Sequence, residues 1–132
     1  MPRCAHIASL FLTIILLACP LLALMPSAPD KAELRRLLEH DVLKESLAGK
    51  HVYVSREPLP AGKYVSSWRT KFQVPTKFSR AWFYFIDDMP EANWEHPCRY
   101  VFVDTRTHRH MVMKGATPPD DLPRMISLDH PQ

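Results

Sequence analysis

The chain has 132 residues, 46% of them apolar, with 17 Lys/Arg against 14 Asp/Glu, and carries 13 prolines but only 3 glycines. Near-balanced charge with no basic stripe excludes the usual electrostatic footprint of a nucleic-acid binder. A chain of this size supplies one hydrophobic core and little material for two.

The first six residues contain one Arg and no acid, and Ile7–Met25 is uncharged and almost wholly apolar. That order is the pattern of an export signal, which places residues 1–28 outside the fold and the mature protein in the periplasm or outside the cell. A retained membrane anchor and lipid attachment at Cys19 are the alternatives, and membrane contact is expected only under those two. Removal at Ala23 or Ala28 takes Cys4 and Cys19 with the signal and leaves Cys98 alone, so the mature chain holds no internal disulfide.

Residues 29–132 read as a single small α+β domain. Asp30 and Glu33 have capping-box spacing, and Leu34, Leu38 and Val42 form a stripe within a helix expected over Lys31–Gly49, either whole or broken near His40. His51–Ser55 alternates as a strand. Glu57–Gly62 is punctuated by Pro and Gly and reads as a turn. Lys63–Val74, with Tyr64, Trp68, Phe72 and Val74 as its large apolar members, is one bent strand or two short ones. Ala81–Ile86 is an unbroken apolar run and the expected central strand, buried on both faces or packed on the helix by one face and on a partner by the other. Arg99–Asp104 and Arg109–Met113, joined by Thr105–His108, read as a hairpin. The expected architecture is a helix or helix pair on a curved antiparallel sheet of four or five strands, followed by a loosely packed, proline-rich C-terminal tail.

Three groupings could carry chemistry. His96, Cys98, His108 and His110 are imidazole and thiolate ligands suited to Zn or Cu, although their spacing matches no established zinc motif. Cys98 with a histidine base could act as a nucleophile, but no glycine-rich nest or nucleophile turn surrounds it, so a noncatalytic protein without a cofactor is expected. Asp87, Asp88, Glu91 and Glu95 could offer oxygen ligands to calcium, yet no glycine supplies the tight turn of a calcium loop. Trp94 and Trp68 either close a small core or anchor an interface, and for Trp94 the polar loop around it leaves a slight lean to the core. The expected binding surface is Trp94, Glu95, His96, Asp87 and Asp88, or else an exposed strand edge. Cys98, beside the strand Arg99–Val103, is expected to be a buried structural thiol.

The segment Tyr100-Val-Phe-Val-Asp104-Thr-Arg-Thr107-His108, followed by Met111-Val-Met113, resembles the strand–turn–strand signature of PepSY-type domains. His108 stands where that family expects Gly. The resemblance implies a small exported α+β module that binds and restrains, or assists, a peptidase or another extracytoplasmic protein. The expected partner is therefore a protein or peptide.

Overall fold

The computed structural model describes residues 29–129. The expected export signal, with cleavage at Ala23 or Ala28 or lipidation at Cys19, lies outside the described residues. The fold is mixed α+β. Helix α1 runs over Lys31–Arg36 and continues as wider π-helical turns over Leu37–Leu43. Eight strands follow: β1 His51–Val54, β2 Leu59–Pro60, β3 Tyr64–Ser66, β4 Lys71–Gln73, β5 Arg80–Asp87, β6 Cys98–Asp104, β7 His110–Gly115 and β8 Ile126–Ser127. The helix ends short of Gly49. Lys44 takes the left-handed cap conformation (φ 55°), and Asp30 makes no side-chain cap bond, so the capping box is not formed.

The main sheet is six-stranded and antiparallel, ordered β7-β6-β5-β1-β8 with β2 beside the start of β5. The hairpin β3–β4 forms a separate two-stranded sheet. The count exceeds four or five because two-residue strands form at Leu59–Pro60 and Ile126–Ser127, inside proline-punctuated segments that read as turn and tail. Nor is the tail loose among the described residues. β8 pairs with β1, Leu128 is buried, and the guanidinium of Arg35 donates to the Leu128 and Leu47 carbonyls at 3.1 Å each.

Strand alternation sends β5 and β6 side chains to two opposite cores, where the sequence offered material for one. On one face Tyr84, Ile86, Val101 and Val103 join Leu34, Leu38, Val42, Leu47, Val52 and Val54 in an aliphatic layer. On the other, Phe83, Phe85, Tyr100 and Phe102 form an aromatic layer with Val65, Val74, Phe78 and Cys98. Tyr100 is central there, with ring centroids 4.8 Å from Phe72 and 5.5 Å from Phe85. The cover for this second face comes from within the chain, from β3–β4 and from Leu122 and Met125. Removing one of these aromatic side chains would cost about 3–5 kcal/mol.

The hairpin β6–β7 is closed by Asp104. Its Oδ1 accepts from Ser79 N and Oγ at 2.9 and 3.0 Å, and its Oδ2 accepts from Thr107 N and Oγ1 at 3.0 and 2.6 Å. The Thr107 hydroxyl, with the Ser79 and Thr107 amides, holds this carboxyl well below the usual carboxylate range. His108 follows at φ 56°, a left-handed position that glycine adopts without strain.

Candidate interaction surface

The loop between β5 and β6 starts at Asp87, which stands opposite Cys98 in the strand register. Charged contacts fix its shape. Asp88 receives Lys50 Nζ at 2.6 Å and the Arg99 guanidinium at 2.9 and 2.7 Å, and Arg99 also meets Glu45 at 2.7 Å. Burial alone would raise the Asp88 carboxyl, but the bonds from Arg99 and Lys50 outweigh it and leave the group below its ordinary value. The His96 ring bridges the Trp94 carbonyl (Nδ1, 2.6 Å) and Asp87 Oδ1 (Nε2, 2.8 Å). Glu95 Oε1 accepts from Arg69 Nε at 2.7 Å, tying the loop to the β3–β4 turn.

The two tryptophans carried by these pinned segments point into solvent. Trp94 is 87% exposed and Trp68 75%. Each directly precedes one member of the Arg69–Glu95 pair, so the pair holds their two segments side by side. Neither closes a core, which corrects the slight lean to a core role for Trp94 and leaves Trp68 on the exposed side of its two alternatives. The aromatic face is already filled by Phe72, Val74 and the β5–β6 rings, and Trp68 lies in the turn between two three-residue strands. The Arg69 guanidinium lies 4.3 Å from the Trp68 ring centroid, so one face of that indole is held against a cation. The β3–β4 hairpin is itself fixed to the C-terminal segment, by Thr117 Oγ1 on Ser67 Oγ at 3.0 Å and by Asp120 N on the Ser66 carbonyl at 2.9 Å. Tyr64, on the same hairpin, is half exposed and lines a hollow with Leu59, Val65, Phe83 and Met125.

Several expected site residues take other roles. Asp87 and Asp88 are turned into the loop's own ion pairs, so of the expected binding surface Trp94 and Glu95 face outward while His96, Asp87 and Asp88 form the frame behind them. The calcium reading fails for the same reason, because Asp88 and Glu95 are paired with cations and Asp87 with His96. The four-residue metal set is split. Cys98 pairs with Gly115 and Val103 with His110, so His96 and Cys98 lie at the opposite end of the hairpin from His108 and His110. Five residues of strand separate the two ends by roughly 17 Å. No group of three metal-ligating side chains gathers among the described residues.

Cys98 is buried at 2% exposure, and its Sγ lies 3.5 Å from the Thr117 carbonyl oxygen. Burial, with Asp87 and Asp88 nearby, pushes the thiol up to about 11, so it is protonated at neutral pH and poorly suited to nucleophilic attack. Both nitrogens of its nearest expected base, His96, are occupied.

What sequence reasoning missed is the Arg69–Glu95 link and the buried Arg35. Only the polar run Arg69-Thr70-Lys71 after Trp68 hinted at the first. No family model matches the chain, and no curated protein or solved structure does either. No helix among the described residues is long and apolar enough to cross a membrane.

Proposed function

We propose that this protein is a noncatalytic module that binds a protein or peptide in the extracytoplasmic space, with restraint or assistance of a peptidase as its most specific form. The observation that carries this reading is the exposure of Trp94 and Trp68 on segments joined by Arg69–Glu95. Exposed indoles on pinned backbone lose little freedom on binding and supply large contact area, which is why Trp dominates interface hot spots. The loop frame of Asp88, Lys50, Arg99 and His96 provides that preorganisation. The apolar leader supports export. The PepSY-type resemblance of the β6–β7 hairpin supports the peptidase form, and the left-handed conformation of His108 is the one a glycine at that position would take. The scaffold behind the surface is read as a helix on one face of the sheet, with the binding segments at the other.

The test is comparative capture from the extracytoplasmic fraction, using wild type, Trp94→Ala and Trp68→Ala as baits. The expected result is a protein retained by wild type and lost with both variants. Equal recovery with all three baits would sink the reading.

A further inference from the structure

Strand β7 is the outermost strand of the main sheet, and it is a long edge without the usual protection. Its sequence His110-Met-Val-Met-Lys-Gly115 contains no proline, and Lys114 is its one permanently charged residue. The opposite edge, β8, is only two residues long. Met111 and Val112 are 39% and 41% exposed. Edges of this kind invite a further strand.

The register defines which backbone groups are free. Asp104 N donates to the directly opposite Arg109 carbonyl at 2.8 Å. Hydrogen-bonded pairs alternate along an antiparallel ladder, so Arg109, Met111 and Met113 turn their amides and carbonyls toward β6. His110, Val112 and Lys114 turn theirs outward. The β5 side agrees, since Thr105 N donates to the Arg80 carbonyl at 2.9 Å, which gives β5 the alternate residues of β6.

The outward residues are centred on Val112, and the sequence around it reads the same in both directions, Met111-Val112-Met113. We infer that β7 pairs antiparallel with β7 of a second copy about a two-fold axis at Val112, making one continuous sheet through both subunits. In this register Val112 faces Val112 of the second copy, and His110 faces Lys114. All three outward residues of each copy then both donate and accept. Shifting the centre to Met111 or Met113 leaves one outward residue per copy unpaired. Side chains match as well. Val112 lies opposite Val101 and therefore on the helix-bearing face, where it meets its own equivalent. Met111 and Met113 lie on the aromatic face, each opposite the other's equivalent, and Gly115 leaves room for Arg109. An isologous contact of this kind closes at two copies and does not propagate. It uses none of the Trp94–Trp68 surface, so it stands or falls independently of the proposed function.

The test uses the full chain with Cys4 and Cys19 replaced by Ser. Mass measured by light scattering should be that of a dimer for the wild-type strand and of a monomer for Val112→Pro, which removes an outward amide without breaking a β6–β7 bond. A second measurement does not depend on that variant folding. Met111→Cys and Met113→Cys proteins, oxidised as a mixture, should cross-link many-fold more than either alone, because only the mixed pair sits directly opposite at disulfide range. A monomeric wild type, a Val112→Pro protein that remains dimeric, or equal cross-linking of the separate variants would overturn the pairing.

Discussion

Arg69 donates from Nε to Glu95 Oε1 at 2.7 Å across 26 residues of sequence, and so brings the turn carrying Trp68 beside the loop carrying Trp94. Both partners are substantially exposed, at 54% and 41% of their side chains, so the pair is worth little as stability. Its value lies in position. Trp94→Ala and Trp68→Ala are therefore expected to change folding stability by less than about 0.5 kcal/mol in urea melts while abolishing partner capture. Glu95→Ala should weaken capture with both tryptophans still present. A Trp94→Ala protein destabilised well beyond that range would return the indole to a packing role.

Arg35 is the expected weak point of the fold. It is buried and spans Glu39, the carbonyls of Leu47 and Leu128, and Asp129 at 3.5 Å. Arg35→Ala takes the guanidinium from two carbonyls and two carboxylates in partly dry surroundings, and a loss of about 3 kcal/mol is expected by chemical denaturation. Arg36→Ala, one residue along and ion-paired only on an exposed face at 3.8 Å, should cost almost nothing. Equal effects would contradict the clamp.

His96 should make the Trp94 loop sensitive to pH. The bond to the Trp94 carbonyl raises its titration above the ordinary histidine value; burial opposes this, and the bond and charge of Asp87 add to the rise. Both ring nitrogens face acceptors, so the imidazolium is the better-held form. The stabilisation is therefore complete below about pH 6.5, the unfolded value, and fades as pH rises through the higher folded value. Amide exchange of Trp94, Glu95 and His96 should quicken over that rise, and His96→Gln should abolish the dependence. Exchange that slows with increasing pH, after correction for intrinsic rates, would reverse the assignment.

Much of the fold is legible in the sequence because it is written in period-two alternation. The runs at 81–86 and 99–104 identify the central strands, and Leu34, Leu38 and Val42 identify the helix stripe. The two-residue strands are not legible, because Leu59-Pro60 and Ile126-Ser127 are too short to show a period and become strands only by pairing with β5 and β1. For the site, Trp94, Glu95 and His96 stand in one visible loop, but their roles depend on distant partners. Asp88 reads as a free acid until Lys50 and Arg99 arrive from two other segments. Likewise, the two histidine groups look close in sequence and are separated by the length of a strand.

Cys98 and Gly115 face each other across β6 and β7 in a space with no slack. A Cβ at Gly115 would lie 2.8 Å from Tyr100 Cε2 and 3.2 Å from Cys98 Sγ. The ring cannot retreat, because its hydroxyl donates to the Thr117 carbonyl at 2.7 Å. Gly115→Ala should cost about 1–3 kcal/mol through overpacking. Cys98→Ala should cost about 1 kcal/mol through lost packing and leave capture intact. The native thiol should label slowly at neutral pH, and rapid labelling would show that the strand end opens.

The central claim, that the Trp94–Trp68 surface is where a partner docks, is tested most directly by photo-cross-linking in the producing cell. A benzophenone amino acid replaces exposed Asn93, beside Trp94, in one strain and exposed Arg106, at the far hairpin turn, in another. The account predicts one cross-linked protein species from position 93, lost when Trp94→Ala or Trp68→Ala is added, and none from position 106. No species from position 93, or the same species from both positions, would contradict it.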